Sequence, residues 1–334
     1  MRNFARNALS IGAAAALLAG CALREPQNDV LPSGLPQSRA TATDAKSVGS
    51  WMAPTAANSD LLYIPNTTYV SVFRYRQRDL VGTLQGFNNI DAACSDPAGN
   101  VYFVDKSSEN VYEFAHGGTI TTHTFDDSPY EPVGCSVNPL TGDLAVANSQ
   151  TNPYGNGNIA IFPEGTGKPK IYTRPLRYYT ACVYDDQGDL LTTNGADVNQ
   201  GESGFAWLAA GARRLTRIKL SGSGLDGVGP IRWDGKYFVI LTSRSELTQV
   251  LVQNGHGKAV SVTKLGGHGI SGGYAIYRKA GAGRGSQVVG VYSSRSSFAA
   301  GEVEYWKYPA GGFVFATITG RSLMPTGIAI SLKQ

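Results

Sequence analysis

The sequence predicts an all-β fold, a six-bladed β-propeller closed by pairing the C-terminal strand with the N-terminal blade. Three observations lead there. First, a strand–turn–strand phrase recurs as "DAACSDPAGNVYFVD", "PVGCSVNPLTGDLAV" and "TACVYDDQGDLLTT". Cys94 to Cys135 is 41 residues and Cys135 to Cys182 is 47, close to the period of a four-stranded blade. Second, 41 glycines and 17 tyrosines accompany only 16 % charged residues, against a typical ~25 %, which suits short strands joined by tight turns. Third, the ends are complementary. The repeat over Leu61–Leu84 lacks an opening strand, and the last phrase, "MPTGIAIS", has no strands after it. Joining them leaves no free sheet edge inside the array.

The segments follow in order. Residues 1–20 carry Arg2 and Arg6 ahead of an apolar run from Ala8 to Gly20, too short to span a bilayer, and read as a secretory signal. "LAGC" closes it and resembles the bacterial lipoprotein lipobox. Cleavage would precede Cys21, whose sulfur would carry the lipid. Two or more acyl chains at ~0.8 kcal/mol per methylene make a lasting anchor. The mature protein is therefore expected to be extracytoplasmic and lipid-anchored to the bacterial membrane, on a periplasmic or outer-membrane face. Ala22 after the cysteine resembles the outer-membrane sorting pattern. Residues 21–58, rich in Pro, Ser, Ala and Thr without apolar periodicity, read as a flexible tether, with Trp51 and Met52 its bulky apolar residues. Residues 59–334 are the propeller.

Within the propeller, further opening strands are "GPIRWDGKYFVIL" and "GGYAIYRKAG", and third strands include "NVYEFAHGGTITTHTF", "NIAIFPEGTGKPKIY" and "VEYWKYPAGGFVFATITG". Opening strands crowd the axis, so small residues belong there: Ala93, Gly134, Ala181 and Gly327. Cys94, Cys135 and Cys182 recur at that phase and read as compact packing residues. Bridging between blades is not expected, because packed sheets lie ~10 Å apart and a disulfide needs Cα atoms about 4.4–6.8 Å apart. Blades five and six depart from the phrase, with Arg232, Trp233 and Tyr274 where small residues are expected.

Loss of Arg2 and Arg6 with the signal leaves 27 basic and 25 acidic side chains, a balance that gives no case for nucleic acid. The turns "DPAGN", "NPLTGD" and "DDQGD" lack the twelfth-position acid of a calcium loop and read as hairpin turns. "GISGG" matches the hydrolase elbow with Ser271, but a strand follows where a helix is required. His116, His123, His256 and His268 show no metal-ligand spacing and read as surface residues. No residue pattern implies a metal or cofactor.

"PVGCSVNPLTGDLAV" and "MPTGIAIS" resemble the NHL-repeat phrase, and residues 60–331 are similar to NHL-type and gluconolactonase-like six-bladed propellers. The gluconolactonase resemblance implies a metal held by acid and amide side chains near the axis, for which Asp91, Glu131 and Asn194 are the nearest counterparts. The Glu-Gly-Pro opening of those enzymes is absent. Residues just ahead of the opening strands should converge at one channel mouth: Asn89, Asp91, Tyr130, Glu131, Tyr178, Tyr179 and His268, with Arg177 nearby. Such a mouth suits an unknown small polar ligand. The expectation is a non-catalytic module that binds such a ligand or an envelope protein; the alternative is a metal-dependent hydrolase or lactonase.

Overall fold

The computed structural model describes residues 49–334 apart from 153–154, 164–166, 195–203, 223–224, 226–228, 244, 254, 279–285, 293–300 and 321–322. The expected signal peptide, the expected lipidation residue Cys21 and most of the expected tether lie outside the described residues.

The described chain is built from strands. The first sheet contains β1 (Trp51–Met52), β2 (Leu61–Asn66), β3 (Tyr69–Arg74) and β4 (Leu80–Gln85). The second contains β5 (Ile90–Ser95), β6 (Val101–Asp105), β7 (Asn110–Phe114) and β8 (Thr121–Asp126). The third contains β9 (Tyr130–Val137), β10 (Leu144–Thr151), β11 (Asn158–Phe162) and β12 (Lys170–Tyr172). An eight-stranded sheet follows. One half is β13 (Ala181–Tyr184), β14 (Leu190–Thr193), β15 (Phe205–Leu208) and β16 (Thr216–Ser221). The other is β17 (Ile231–Trp233), β18 (Phe238–Ser243), β19 (Glu246–Gln253) and β20 (His256–Lys264). Each half is antiparallel, and the parallel pairing of β16 with β20, Lys219 opposite His256, joins them. The last sheet is β21 (Tyr274–Tyr277), β22 (Gln287–Tyr292), β23 (Glu302–Lys307) and β24 (Gly311–Thr319). Finally β25 (Ala329–Ser331) pairs antiparallel with β2, Leu61 opposite Ser331 and Tyr63 opposite Ala329.

The ends of the array behave differently. Trp51 and Met52, which the sequence places in the tether, add β1 to the outer side of β4, Trp51 opposite Thr83. Along each sheet, burial falls from the second strand outward. All of β2, β6 and β14 is buried, whereas β16, β20 and β24 are mostly exposed or half-buried. A strand covered on both faces by neighbouring sheets must be apolar throughout, as "VYFVD" nearly is; an outer strand needs only alternate residues inward.

Turn chemistry follows the sequence. Asp96 accepts the Asn100 N–H at 2.8 Å and Asp185 accepts those of Gln187 and Asp189 at 2.9 Å each, while Gly99 and Gly188 take the positive φ these reversals require.

Apolar side chains fill the spaces between successive sheets. Leu61, Tyr63, Phe87, Phe103 and Phe114 pack together between the first and second sheets. Leu62 and Tyr75 pack with Tyr277, Val289 and Tyr305 between the last sheet and the first. The leading strands meet one another in turn: β5 beside β9, β9 beside β13, β13 beside β17, β17 beside β21, β21 beside β25 and β25 beside β5.

Small residues at the entry to these strands allow that approach. A Cβ on Gly327 would lie 3.2 Å from the Ala92 Cα, and one on Gly273 3.1 Å from the Gly327 Cα. The same convergence corrects the cysteine reading. Cys94 and Cys135 form a disulfide, their Cα atoms 5.8 Å apart. The ~10 Å separation of packed sheets does not hold where leading strands crowd together. Cys182 is free and buried, its thiol 3.6 Å from the Ala145 carbonyl oxygen, and remains a packing residue.

Candidate functional site

Two cavities share the leading strands as walls. The narrower, about 390 Å³, is lined by residues at the starts of these strands, among them Asp91, Gly134, Thr180, Gly273 and Gly327, together with Lys106. The wider, about 670 Å³, is lined by their other ends, including Ser95, Val137, Tyr184, Trp233, Ile276 and Ile330. Both volumes fall in the usual range for small-molecule sites. Ala93, Cys135, Cys182 and Arg232 line both.

At the narrower cavity, Asp105 sets the entry to β5. Its buried carboxylate accepts the backbone N–H groups of Asn88 and Asn89 at 2.7 and 3.0 Å, fixing the corner that leads to Asp91. Asp91 is exposed into the cavity, yet desolvation by the protein around it raises its pKa; the Lys106 ammonium opposes that shift and Glu131 adds to it. The Lys106 ammonium is 3.1 Å from Glu131 Oε2. Glu131 also accepts hydrogen bonds from Gln150 Nε2 at 2.7 Å and Ser149 Oγ at 3.4 Å. Burial pushes the Glu131 pKa up, but the bond from Gln150 and the bond and charge of Lys106 outweigh it, so Glu131 sits below the usual carboxylate range.

Of the residues proposed for the mouth, Asp91 alone lines one of these two cavities; Glu131 reaches its edge only through Lys106 and Ser149. Asn89 stays at the corner, its carbonyl accepting the Lys106 N–H. Tyr130 pairs with Thr151 at the start of β9. Arg177 is exposed and its guanidinium lies 5.1 Å from the Tyr178 ring centroid. Tyr179 is fully buried, its hydroxyl accepting the Leu176 N–H at 3.3 Å, and burial pushes its pKa up to about 12. Asn194 accepts the Gly204 N–H within its own sheet.

His268 lies in a separate cluster. Its ring stacks on Tyr292 at 4.9 Å, and Nδ1 lies 3.1 Å from Glu302 Oε2 and 3.3 Å from Glu304 Oε1. These ligand atoms could meet a metal ion. The buried Glu304 carboxylate already accepts the backbone N–H groups of His268 and Gly269, so the cluster also works as a turn lock. His116 is not a plain surface residue either: its Nδ1 bonds Ser331 Oγ at 2.6 Å, and burial lowers its pKa.

Sequence reasoning missed Lys106 and Arg232 as cavity residues. Lys106 follows the buried aspartate of a second strand, where nothing in the repeat marks it. Arg232 carried a visible signal, because it breaks a position otherwise held by small residues.

No protein-family model matches the sequence. No curated protein matches it either. Among solved structures, the chain is similar to a protein of unknown function from Bacteroides caccae, with TM-score 0.57 and 11 % identity over 82 % of this chain and 99 % of that one. It is also similar to a chain of a nidogen/laminin complex, with TM-score 0.56 and 13 % identity over 83 % of this chain and 100 % of that one. These likenesses support a β-propeller-like fold.

Proposed function

We propose that this chain is an exported, lipid-anchored, six-bladed β-propeller of NHL-like type that binds a small polar ligand in its axial cavity and performs no catalysis. Closure is supported by the pairing of β25 with β2 and by the core between the last sheet and the first. The eight-stranded sheet supplies two of the six blades, because its halves meet only through outer strands. A disulfide fits an oxidising compartment outside the cytoplasm, in keeping with a secretory signal. The nidogen/laminin likeness gives the companion reading, binding of an envelope protein.

The observation that carries the choice of binding over metal-dependent hydrolysis is Lys106. Its ammonium lies against Glu131 and acts on Asp91, so the carboxylates that would ligate a divalent cation already face a fixed positive charge. Equilibrium dialysis of the full chain against calcium and zinc, beside Asp91→Ala and Glu131→Ala, tests it. No uptake at the mouth is expected. Stoichiometric uptake abolished by both substitutions would establish the hydrolase-type site instead, and uptake that survives both belongs to the His268 cluster. For the anchor, Cys21→Ser should move the protein from the membrane pellet to the soluble fraction; continued sedimentation with membranes rules the lipid out.

A further inference from the structure

Arg232 is the one residue of β17 that lines both cavities, so its side chain lies where they adjoin. Its guanidinium has five N–H donors. Among the described residues, it donates only to the carbonyl of Ile231, at 2.8 Å, and no carboxylate lies within ion-pair distance of it. Its Cζ is 5.6 Å from the Tyr274 ring centroid.

The nearby acids cannot serve as counter-ions. Burial pushes the Cys182 thiol up to about 12, so it stays protonated. Burial also raises the Tyr274 phenol, which is committed as a donor to the Val239 carbonyl at 2.6 Å. Burial disfavours the charge on Arg232, yet a guanidinium does not lose its proton at physiological pH. A cation held this way lacks its partner, and the groups that take two parallel N–H bonds from a guanidinium are carboxylates and phosphates; of these the singly charged carboxylate on an apolar body suits the partly apolar wall beside it. The wider cavity beside it offers apolar wall from Val183, Ile276, Ile328 and Ile330.

We propose that Arg232 is the anchor of a binding site for a small organic monocarboxylate, whose carboxylate meets the guanidinium and whose apolar body occupies the wider cavity. The site rests on the closed-propeller reading above and gives its ligand a chemical class. No bond is made or broken on binding.

The test is calorimetric titration of the detergent-solubilised full chain with benzoate, with uncharged benzamide and inorganic phosphate as comparison probes. Benzoate should bind at one per chain and benzamide should not. Arg232→Lys should weaken benzoate about tenfold or more, since an ammonium cannot present the fork. Arg232→Met should abolish the binding heat while melting no lower than wild type. Absence of benzoate binding to the wild type, or equal binding by Arg232→Met, overturns the site, and preference for phosphate overturns the carboxylate class. Should Arg232→Met fail to fold, Arg232→Lys decides, because unchanged affinity overturns the proposal. Truncation after Leu323 separates the two levels. If the truncated chain melts like wild type, the closed ring fails; if it is destabilised and benzoate still does not bind wild type, only the Arg232 site fails.

Discussion

The wall formed by β5 and β9 and the wall formed by β17 and β21 occupy the same phase of the repeat and handle crowding in opposite ways. The first ties its strands with the Cys94–Cys135 disulfide, and a buried acid, Asp127, stands in the link that leads into β9. The second carries a guanidinium over a tyrosine ring. Burial pushes the Asp127 carboxyl up to about 8, and neither of its oxygens has a hydrogen-bond partner among the described residues. Asp127 thus escapes its desolvation penalty by holding a proton. Arg232 has no such escape. A buried acid can be structural and silent, whereas a half-buried arginine that lines a cavity without a carboxylate asks for a ligand.

The largest way to break this comparison is to remove the strand paired with β2, on which the proposed closure rests. Truncation after Leu323 removes β25 and leaves β2 with an unpaired edge; the full chain should unfold in a single sharp transition followed by circular dichroism, and the truncated chain should not. Next is Cys94→Ser. The bridge closes a loop across 41 residues of sequence separation, and the chain-entropy relation gives a loss of about 4 kcal/mol, readable in a urea titration. Stability unchanged by this substitution would show that packing alone holds β5 to β9.

The Asp127 carboxyl predicts a pH dependence. Its pKa is higher in the folded state than the ~3.9 of an unfolded chain, so the folded protein binds the extra proton. The stabilisation is therefore complete below about pH 4 and is lost as pH rises towards 8. His116 acts oppositely, because its lowered pKa costs stability as pH falls below its ordinary value. Asp127→Asn should flatten the decline of melting temperature between pH 5 and 8 relative to wild type. A wild-type slope retained by the variant would remove Asp127 as its cause.

On the other wall, Arg232→Met should raise the melting temperature by about 2–4 °C, since an apolar side chain replaces an unpaired cation. A fall of that size would mean that the ring contact with Tyr274 outweighs the charge. The smallest effect belongs to Lys106→Gln. The Lys106–Glu131 pair is partly exposed, and its loss should cost about 0.5 kcal/mol in urea unfolding.

The strand phrases, their turns and the complementary ends were legible because local chemistry sets them: alternation for a half-covered strand, Asp, Asn and Gly for reversals, small residues near the axis. The mouth was only partly legible. Tyr179 stands two residues ahead of β13 and Asp91 is the second residue of β5, yet one is fully buried and the other exposed at the cavity. Phase in a repeat gives the position of a backbone segment, and the rotation of the chain ahead of the strand decides where the side chain goes.

By itself the sequence determined an all-β chain of repeated antiparallel sheets, since hydrophobic period and turn residues act over a few positions. Only the tertiary structure decided that Cys94 meets Cys135, that Lys106 sits on Glu131 and that Arg232 lies where the two cavities adjoin without a carboxylate. These depend on distances between strands tens of residues apart, and convergence of the leading strands sets those distances.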